Sequence, residues 1–526
     1  MAAIVTDQFR IANANNFVDS VLDANNSYYV FLGLSNPGTS STPVGFGRST
    51  SWGDTPSNPP SPIDNQQYLS HYRNTALFGK RLNSSNVRRI VRKVSWTSNT
   101  RYDMYRHDYS VHNLSPNAQS ARLYDCNYYV VNSDFKVYIC LYNGSHGDIG
   151  GSSNINGNTS QDEPTFTDLE PSAAGTSGDG YIWKYLFTIS PSDIIKFDST
   201  EYIVLPTDWS SSTDFQIQSI RDAGDSNVNN NQIKTVYIEN GGSGVYTEGS
   251  RTYDIKGDGS GAKVNIEVNS SGQITKATVV SGGSGYTFGI VDFGHAANDT
   301  ISDPAKLIPI IPPSRGHGYD VYTELGADKV LVYSRFDDST KDFPTDTKFS
   351  QVGIIKNPEK YNSTGVNFTG NEYSSLGSIK LTSGFSGSPT VGAAITQATD
   401  NGTARGYIAS YDSETKVLKY YQDRSLNFGN TIDQTDRNDV TAKASVVSFA
   451  STTNTITPIS GSVDINFSGI TTTIGSKQVS LGVTFSGGVA DPEINKNTGD
   501  IIYIDNRSLV TRDSRQKEDI KIILEF

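Results

Sequence analysis

Gly178-Asp179-Gly180-Tyr181-Ile182-Trp183-Lys184-Tyr185-Leu186-Phe187 is the stretch on which the reading of this chain turns. A Gly-Asp-Gly turn feeds a segment whose odd positions, Tyr181, Trp183, Tyr185 and Phe187, are all aromatic. Side chains alternate faces along a strand, so four rings line one side while Ile182 and Leu186 cover most of the other. Such a segment is expected in the middle of a packed sheet. Lys184 interrupts the second face, which is therefore expected to reach solvent or a partner near its centre. The stretch describes a scaffold and offers no chemistry.

Composition points the same way. A chain of 526 residues is too long for one ordinary core and implies roughly two to four domains. Only 19% of residues are charged, against the usual ~25%. Ser, Thr, Asn, Gly and Tyr take up the difference, a mix that suits short strands joined by polar turns. The net charge of −12 argues against a general role on phosphate backbones. One basic cluster runs from Lys80 to Arg106 and holds Arg88, Arg89, Arg92, Lys93, Arg101 and Arg106. Beside Ile90, Val91, Val94 and Trp96 it reads as a solvated or ion-pairing protein face, so no nucleic-acid partner is expected.

Cys126 and Cys140 are too few to staple so long a chain. Cys140 alternates with Tyr138 and Tyr142 on an expected strand, which makes it a buried thiol. Met1 to Asp7 lacks the basic region and apolar core of a signal segment. No run of about 18 apolar residues exists either. The expectation is no membrane, and synthesis and assembly in a reducing cytoplasm.

Along the chain, Thr6 caps a first helix to about Val21, anchored by Phe9, Phe17 and Val21. Tyr28 to Leu34 reads as an apolar strand, and 36–62 as an irregular loop around Trp52. A second helix is expected from Asp64, with Gln67 as capping-box partner and a stripe of Tyr68, Leu69, Tyr72, Ala76 and Leu77. Strands follow at 88–97, 122–132 and 134–142, then a long loop at 143–177. After the aromatic segment come a helical turn from Pro191 to Ile195 and a strand from Glu201 to Pro206.

The texture then changes. Gly241-Gly242-Ser243-Gly244-Val245-Tyr246-Thr247 is echoed by Gly282-Gly283-Ser284-Gly285-Tyr286-Thr287, each copy followed by a short strand ending in glycine. Between them, 262–268 and 274–280 flank Asn269-Ser270-Ser271-Gly272, a hairpin signature. This is a duplicated all-β module. A second Thr/Ser/Gly-rich β region spans 365–490, with a hairpin of Gly406–Tyr411 and Val417–Tyr421 turning through 412–415. The chain closes with strand-like Gly499–Arg507 and Ile520–Phe526, the final phenylalanine in register with Ile520, Ile522 and Leu524.

With these residues in view, the chain resembles the small dimeric baseplate wedge subunit of contractile-tailed bacteriophages (myoviruses). The matching pieces are Ala3 to Arg10, Gly178 to Phe187 with Glu201 to Pro206, Phe349 to Pro358, and Gly499 to Arg507 with Ile520 to Phe526. The regions at about 225–300 and 365–490 look like insertions absent from shorter members. The resemblance implies a mainly β fold with a few helices (α+β), a homodimer, a place in the virion tail baseplate beside other wedge proteins, and no catalytic residues.

Side chains with chemistry are weighed against that scaffold. His107 and His112 are five apart, without cysteine partners or a zinc spacing, and His317 in Arg315-Gly316-His317-Gly318 reads as a turn residue. The 254–261 stretch only superficially matches a calcium loop, because Lys256 holds a ligand position. Gly475-Ser476-Lys477-Gln478 lacks the phosphate-loop order, and no hydrolase elbow sits between strand and helix. Asp337-Asp338 reads as solvated loop acids. No catalytic, cofactor-binding or metal residue is assigned, no cofactor is expected, and the chain is read as no enzyme.

The expected organisation is a β-sandwich-like core with two inserted all-β modules: core at 1–224, 304–364 and 495–526, inserts at 225–303 and 365–494. The expected function is a structural wedge component that bridges neighbours and takes part in baseplate assembly and rearrangement on infection. The alternative is a tail adhesin or fibre-like module, with host glycan bound through the inserts. Tyrosine, at 29 residues, favours protein interfaces and keeps the glycan alternative open.

Overall fold

Why the aromatic segment becomes a strand is visible in its pairing. In the computed structural model, Tyr181–Thr188 runs antiparallel to Lys136–Asn143, which pairs in turn with Tyr129–Val131. Tyr185 lies opposite Tyr138 and Trp183 opposite Cys140. Tyr181 and Trp183 stack at 5.4 Å, and Tyr102 meets Trp183 edge-on at 5.8 Å. All four rings are buried, as their alternation requires.

Two expectations for this strand are corrected. It is the last of three strands rather than a middle one, and among the described residues only Ser172 bridges to Trp183 beyond it. Lys184 does not reach solvent: it is 1% exposed, and its Nζ donates to the Leu169 carbonyl at 2.7 Å. The segment holding Leu169 and Ser172 closes over the open edge and supplies an acceptor, so the ammonium is enclosed. Burial, with repulsion from Lys234, pulls Lys184 down to about 8.

The structure describes residues 4–33, 59, 61–224, 232–243, 246–293, 304–337, 348–384, 393–400, 402–422, 448–450, 455–459, 461–512 and 516–526. It is mainly β, as expected, with five helices among the described residues. The chain divides into two units, one of Met1–Val18, Arg88–Leu331 and Ile523–Phe526, the other of Asp19–Val87 and Val332–Ile522. Most of the loop at 36–62, Trp52 included, lies outside the described residues.

The opening helix Asp7–Leu22, whose residues to Val18 belong to the first unit and whose last turn belongs to the second, starts where the Thr6 hydroxyl accepts the Phe9 N–H. Its buried stripe is Ile11, Ala14, Val18 and Val21, and Phe9 is 56% exposed. The 3–4 spacing of those four residues fixes the inward face, and Phe9 falls off it. The strand expected at 122–132 shrinks to Tyr129–Val131, preceded by a 3-10 turn at Leu123–Asp125. The Asp103 carboxylate takes the Asn127 N–H at 2.9 Å, which keeps that residue out of a ladder. The loop at 143–177 contains two short strands, His146–Ile149 and Ser152–Asn154. The first lies beside Val236–Asn240, and a Cβ on Gly147 would sit 2.0 Å from the Glu239 carbonyl oxygen.

The repeated glycine motifs organise a sheet in the order Ile274–Ser284, Ser260–Val268, Gly249–Gly257, Gly289–Asp292. The two strands that follow the motif copies pair with each other, Ile255 opposite Val291. Tyr246 and Tyr286 enter one core with Val264, Ile266 and Ile274. The backbones of the copies are used alike: Gly241 accepts from Ile274, and Gly282 from Ile233. Gly283, at φ +58, leaves a Cβ only 2.5 Å from Ala262 N and Ser260 O, so glycine is required there. The other face is exposed and carries Asp254 with Lys263 and Glu267 with Lys276 as ion pairs.

In the second unit, Tyr28–Gly33 is buried throughout and central to the sheet Glu372–Ser374, Ala76–Arg81, Tyr28–Gly33, Lys348–Lys356, Asp500–Thr511. The helix Gln66–Thr75 is capped by Asn65, whose side chain accepts from Tyr68 N, and not by Asp64. Ala76 and Leu77 leave the expected helical stripe and begin a strand in which Phe78 faces Leu32. Apolar residues at helical spacing serve a strand equally well when the run is short, and sheet pairing decides it.

A second sheet runs Ala394–Thr399, Gly402–Asp412, Val417–Tyr421, Gly377–Lys380, Val489–Ala490. Its hairpin turns at Asp412, whose carboxylate accepts the Glu414 and Thr415 N–H groups. Gly475 and Ser476 form the tip of a separate hairpin, Gly469–Ile474 with Lys477–Phe485, which is why that stretch resembles no phosphate loop.

Candidate functional site

The basic segment is occupied by its own fold. Arg88 pairs with Asp193 at 2.9 Å, and Lys93 with Asp198 at 3.0 Å. Arg89 donates to Asn15 and to the Thr207 carbonyl while lying over the Tyr322 ring at 4.3 Å. Arg106 pairs with Asp108 and covers Tyr237 at 4.1 Å. Lys80 meets Glu372 at 2.8 Å. Arg101 is exposed. These cations hold strands and loops together, so the ion-pairing reading of the cluster stands.

Histidines and thiols are similarly placed. His107 Nδ1 accepts the Ile311 N–H at 3.1 Å, and burial lowers its pKa. His112 is exposed. His317 is more than a turn residue: it is 3% exposed, 2.6 Å from the Glu324 carboxylate, and edge-on to Tyr105. Glu324 also accepts the Gly318 N–H at 2.7 Å, so the pair closes a turn. Cys126 and Cys140 are free and buried. Asp258 bonds Thr287 and the Phe288 N–H, which accounts for the Gly-Asp-Gly at that hairpin without an ion. Asp337 lies 3.9 Å from Lys80, and Asp338 is outside the described residues. Among the described residues no three His, Cys, Asp or Glu side chains gather as a metal would need.

A cleft of about 490 Å³ in the first unit collects charged side chains from well-separated parts of the sequence. Asp7, Arg10 and Ile11 come from the opening helix, and Val91, Arg92 and Lys93 from the end of a strand. Tyr124 and Asp125 lie in the 3-10 turn, Arg122 precedes it and Tyr129 follows it, with Glu201 and Tyr202 also in the lining. Leu325, Gly326, Asp328, Lys329 and Glu525 complete the lining.

Most of these charges cancel locally. Arg122 lies 2.5 Å from Asp7 and 3.7 Å from Asp125, and Lys329 lies 3.0 Å from Asp328 and 3.1 Å from Glu525. Arg92 donates to the carbonyls of Asp125 and Cys126. Burial, then the Asp7 carboxylate, pushes the Tyr124 hydroxyl up to about 12. Arg10 and Glu201 make no ion pair among the described residues. Sequence reading missed this cleft because its residues share no local pattern.

Fold and cleft together define a β-rich protein braced by internal ion pairs and buried rings. Residues 3–241 match the family described as bacteriophage T4 Gp8. Over that segment, somewhat less than half of the chain, the protein is similar to the phage baseplate wedge family, which supports a structural component of the tail baseplate. The match ends within the first glycine motif, so the resembling stretches at 349–358, 499–507 and 520–526 lie outside it. No curated protein matches the chain.

Proposed function

We propose that this chain is a dimeric, non-enzymatic wedge subunit that bridges neighbouring wedge proteins during baseplate assembly and moves as a body when the baseplate rearranges on infection. Assembly takes place in the host cytoplasm. The observation that carries the reading is the family match over residues 3–241. A buried aromatic interior and self-neutralised charges support it, because they make a stiff body whose use lies in its surface. Glycan contact through the inserts gains less support, since Tyr246, Tyr286, Tyr420 and Tyr421 have their rings buried in the cores.

The test is the mass of the purified full chain, alone and mixed with the other wedge proteins of the same particle. Twice 57.1 kDa alone, and larger species on mixing, are expected. A 57.1 kDa species that ignores every partner overturns the reading.

A further inference from the structure

We infer that the hairpin of Gly469–Ile474 with Lys477–Phe485 pairs edge to edge with the same hairpin of a second copy, the strand Gly469–Ile474 running antiparallel to its counterpart about a two-fold axis at Thr472. The inference rests on the dimeric reading and names where two copies meet. Among the described residues this hairpin is a sheet of only two strands, so neither of its edges has a partner there. Its base is anchored, because Leu481, Val483 and Phe485 enter a core with Val417 and Ala490. From Ile470 to Ser480 no residue is buried. A lone two-stranded ribbon is marginal in water, and an exposed strand edge is commonly blunted by proline or charge. Ile470-Thr471-Thr472-Thr473-Ile474 has neither, and every one of its residues is β-branched.

Two observations point to a second copy as the occupant. Ile470 to Ile474 reads the same in both directions, and a contact about a two-fold axis requires a surface that complements itself. Antiparallel pairing centred on Thr472 sets Ile470 opposite Ile474 of the partner subunit, and Thr471 opposite Thr473 of the partner subunit. Such matched β-branched and Thr–Thr pairs are the stabilising units of a sheet. Ile470, Thr472 and Ile474 share one face of their strand, where Val479 lies opposite Thr472 within the hairpin. Charge supplies the second observation. Each copy carries a net charge of −12, so two copies repel at long range. Between Asp464 and Asp491 the only charged residue is Lys477, which makes this hairpin a place where two acidic chains can approach without repulsion.

The experiment uses the full chain as wild type, Thr472→Cys, Gln478→Cys and Thr472→Lys. It reads mass in solution and covalent mass after mild oxidation, with thermal unfolding as a check on folding. Cys126 and Cys140 are buried, so the introduced thiol is the one that reacts. Thr472→Cys brings two sulfurs together across the axis, within disulfide reach, and is expected to give a covalent species of twice 57.1 kDa. Gln478→Cys lies on the outer strand, separated from its counterpart by both inner strands, and is expected to stay at 57.1 kDa. Thr472→Lys sets like charges opposite each other and is expected to weaken association roughly fivefold while the melting temperature holds. A wild type of twice 57.1 kDa whose Thr472→Cys variant fails to cross-link, or whose Thr472→Lys variant associates as before, overturns the inference and leaves the dimeric reading intact. Cross-linking as readily in Gln478→Cys as in Thr472→Cys also overturns it, in favour of chance collision or of pairing through the other edge. A wild type that stays at 57.1 kDa takes down the dimeric reading and this inference with it.

Discussion

The Tyr181–Thr188 sheet and the glycine-hinged sheet at 249–292 belong to the same unit and are built on opposite plans. The first is packed with large rings and encloses even its lysine. The second buries one face only, leaving ion pairs on the other, and relies on two tyrosines and left-handed glycines. Bulk secures the first sheet. The second depends on a few backbone approaches that only glycine permits. A change of size should therefore hurt the first sheet most, and the gain of a single methyl the second.

The largest effect is expected at Trp183. Its ring stacks on Tyr181 and meets Tyr102, so Trp183→Ala should cost about 3–5 kcal/mol, read in the denaturant midpoint of the first unit. Its buried Nε1 has no hydrogen-bond partner among the described residues, so Trp183→Phe should lose packing alone and cost far less. Next comes Gly283→Ala, where left-handed strain adds to a clash with backbone, for about 2–4 kcal/mol by the same measurement. Gly178→Ala, with φ +70 and open space around it, should show the strain alone, ~1–2 kcal/mol. Equal costs at the two glycines would break the contrast.

Lys184 sharpens the comparison through pH. Its folded value is lowered to about 8 from 10.5, so between those values the unfolded chain binds more protons and stability rises with pH. The rise should be on the order of 2–3 kcal/mol across the window. Cys126 and the buried tyrosines work against it, because their raised values remove stability as pH climbs. The difference between wild type and Lys184→Met isolates the lysine, and identical pH profiles in the two proteins would contradict its burial.

Tyr286→Phe should have a comparably small effect, about 1–2 kcal/mol. It strands the Ile255 carbonyl and the Ala262 N–H, both bonded to that hydroxyl, and a thermal melt would register it.

Elements specified by neighbouring residues were legible in the sequence. The aromatic alternation, the hairpins at 269–272 and 412–415 and the Thr6 cap need only a few positions each. What could not be read depended on distant partners. Lys184 looked solvent-facing because its acceptor, Leu169, lies in a loop without periodicity. Ala76 and Leu77 suited a helix until the Tyr28–Gly33 strand claimed that run for the sheet. The cleft was the least legible feature, since Arg10, Glu201 and Glu525 meet only after folding.

The two buried thiols have a practical consequence. Burial pushes Cys126 up to about 12 and raises Cys140 as well, so neither offers thiolate at neutral pH. A cysteine introduced at an exposed turn such as Ser476 would then be the reactive handle on an otherwise silent protein. Spectroscopic labels could be attached there without first removing either native cysteine.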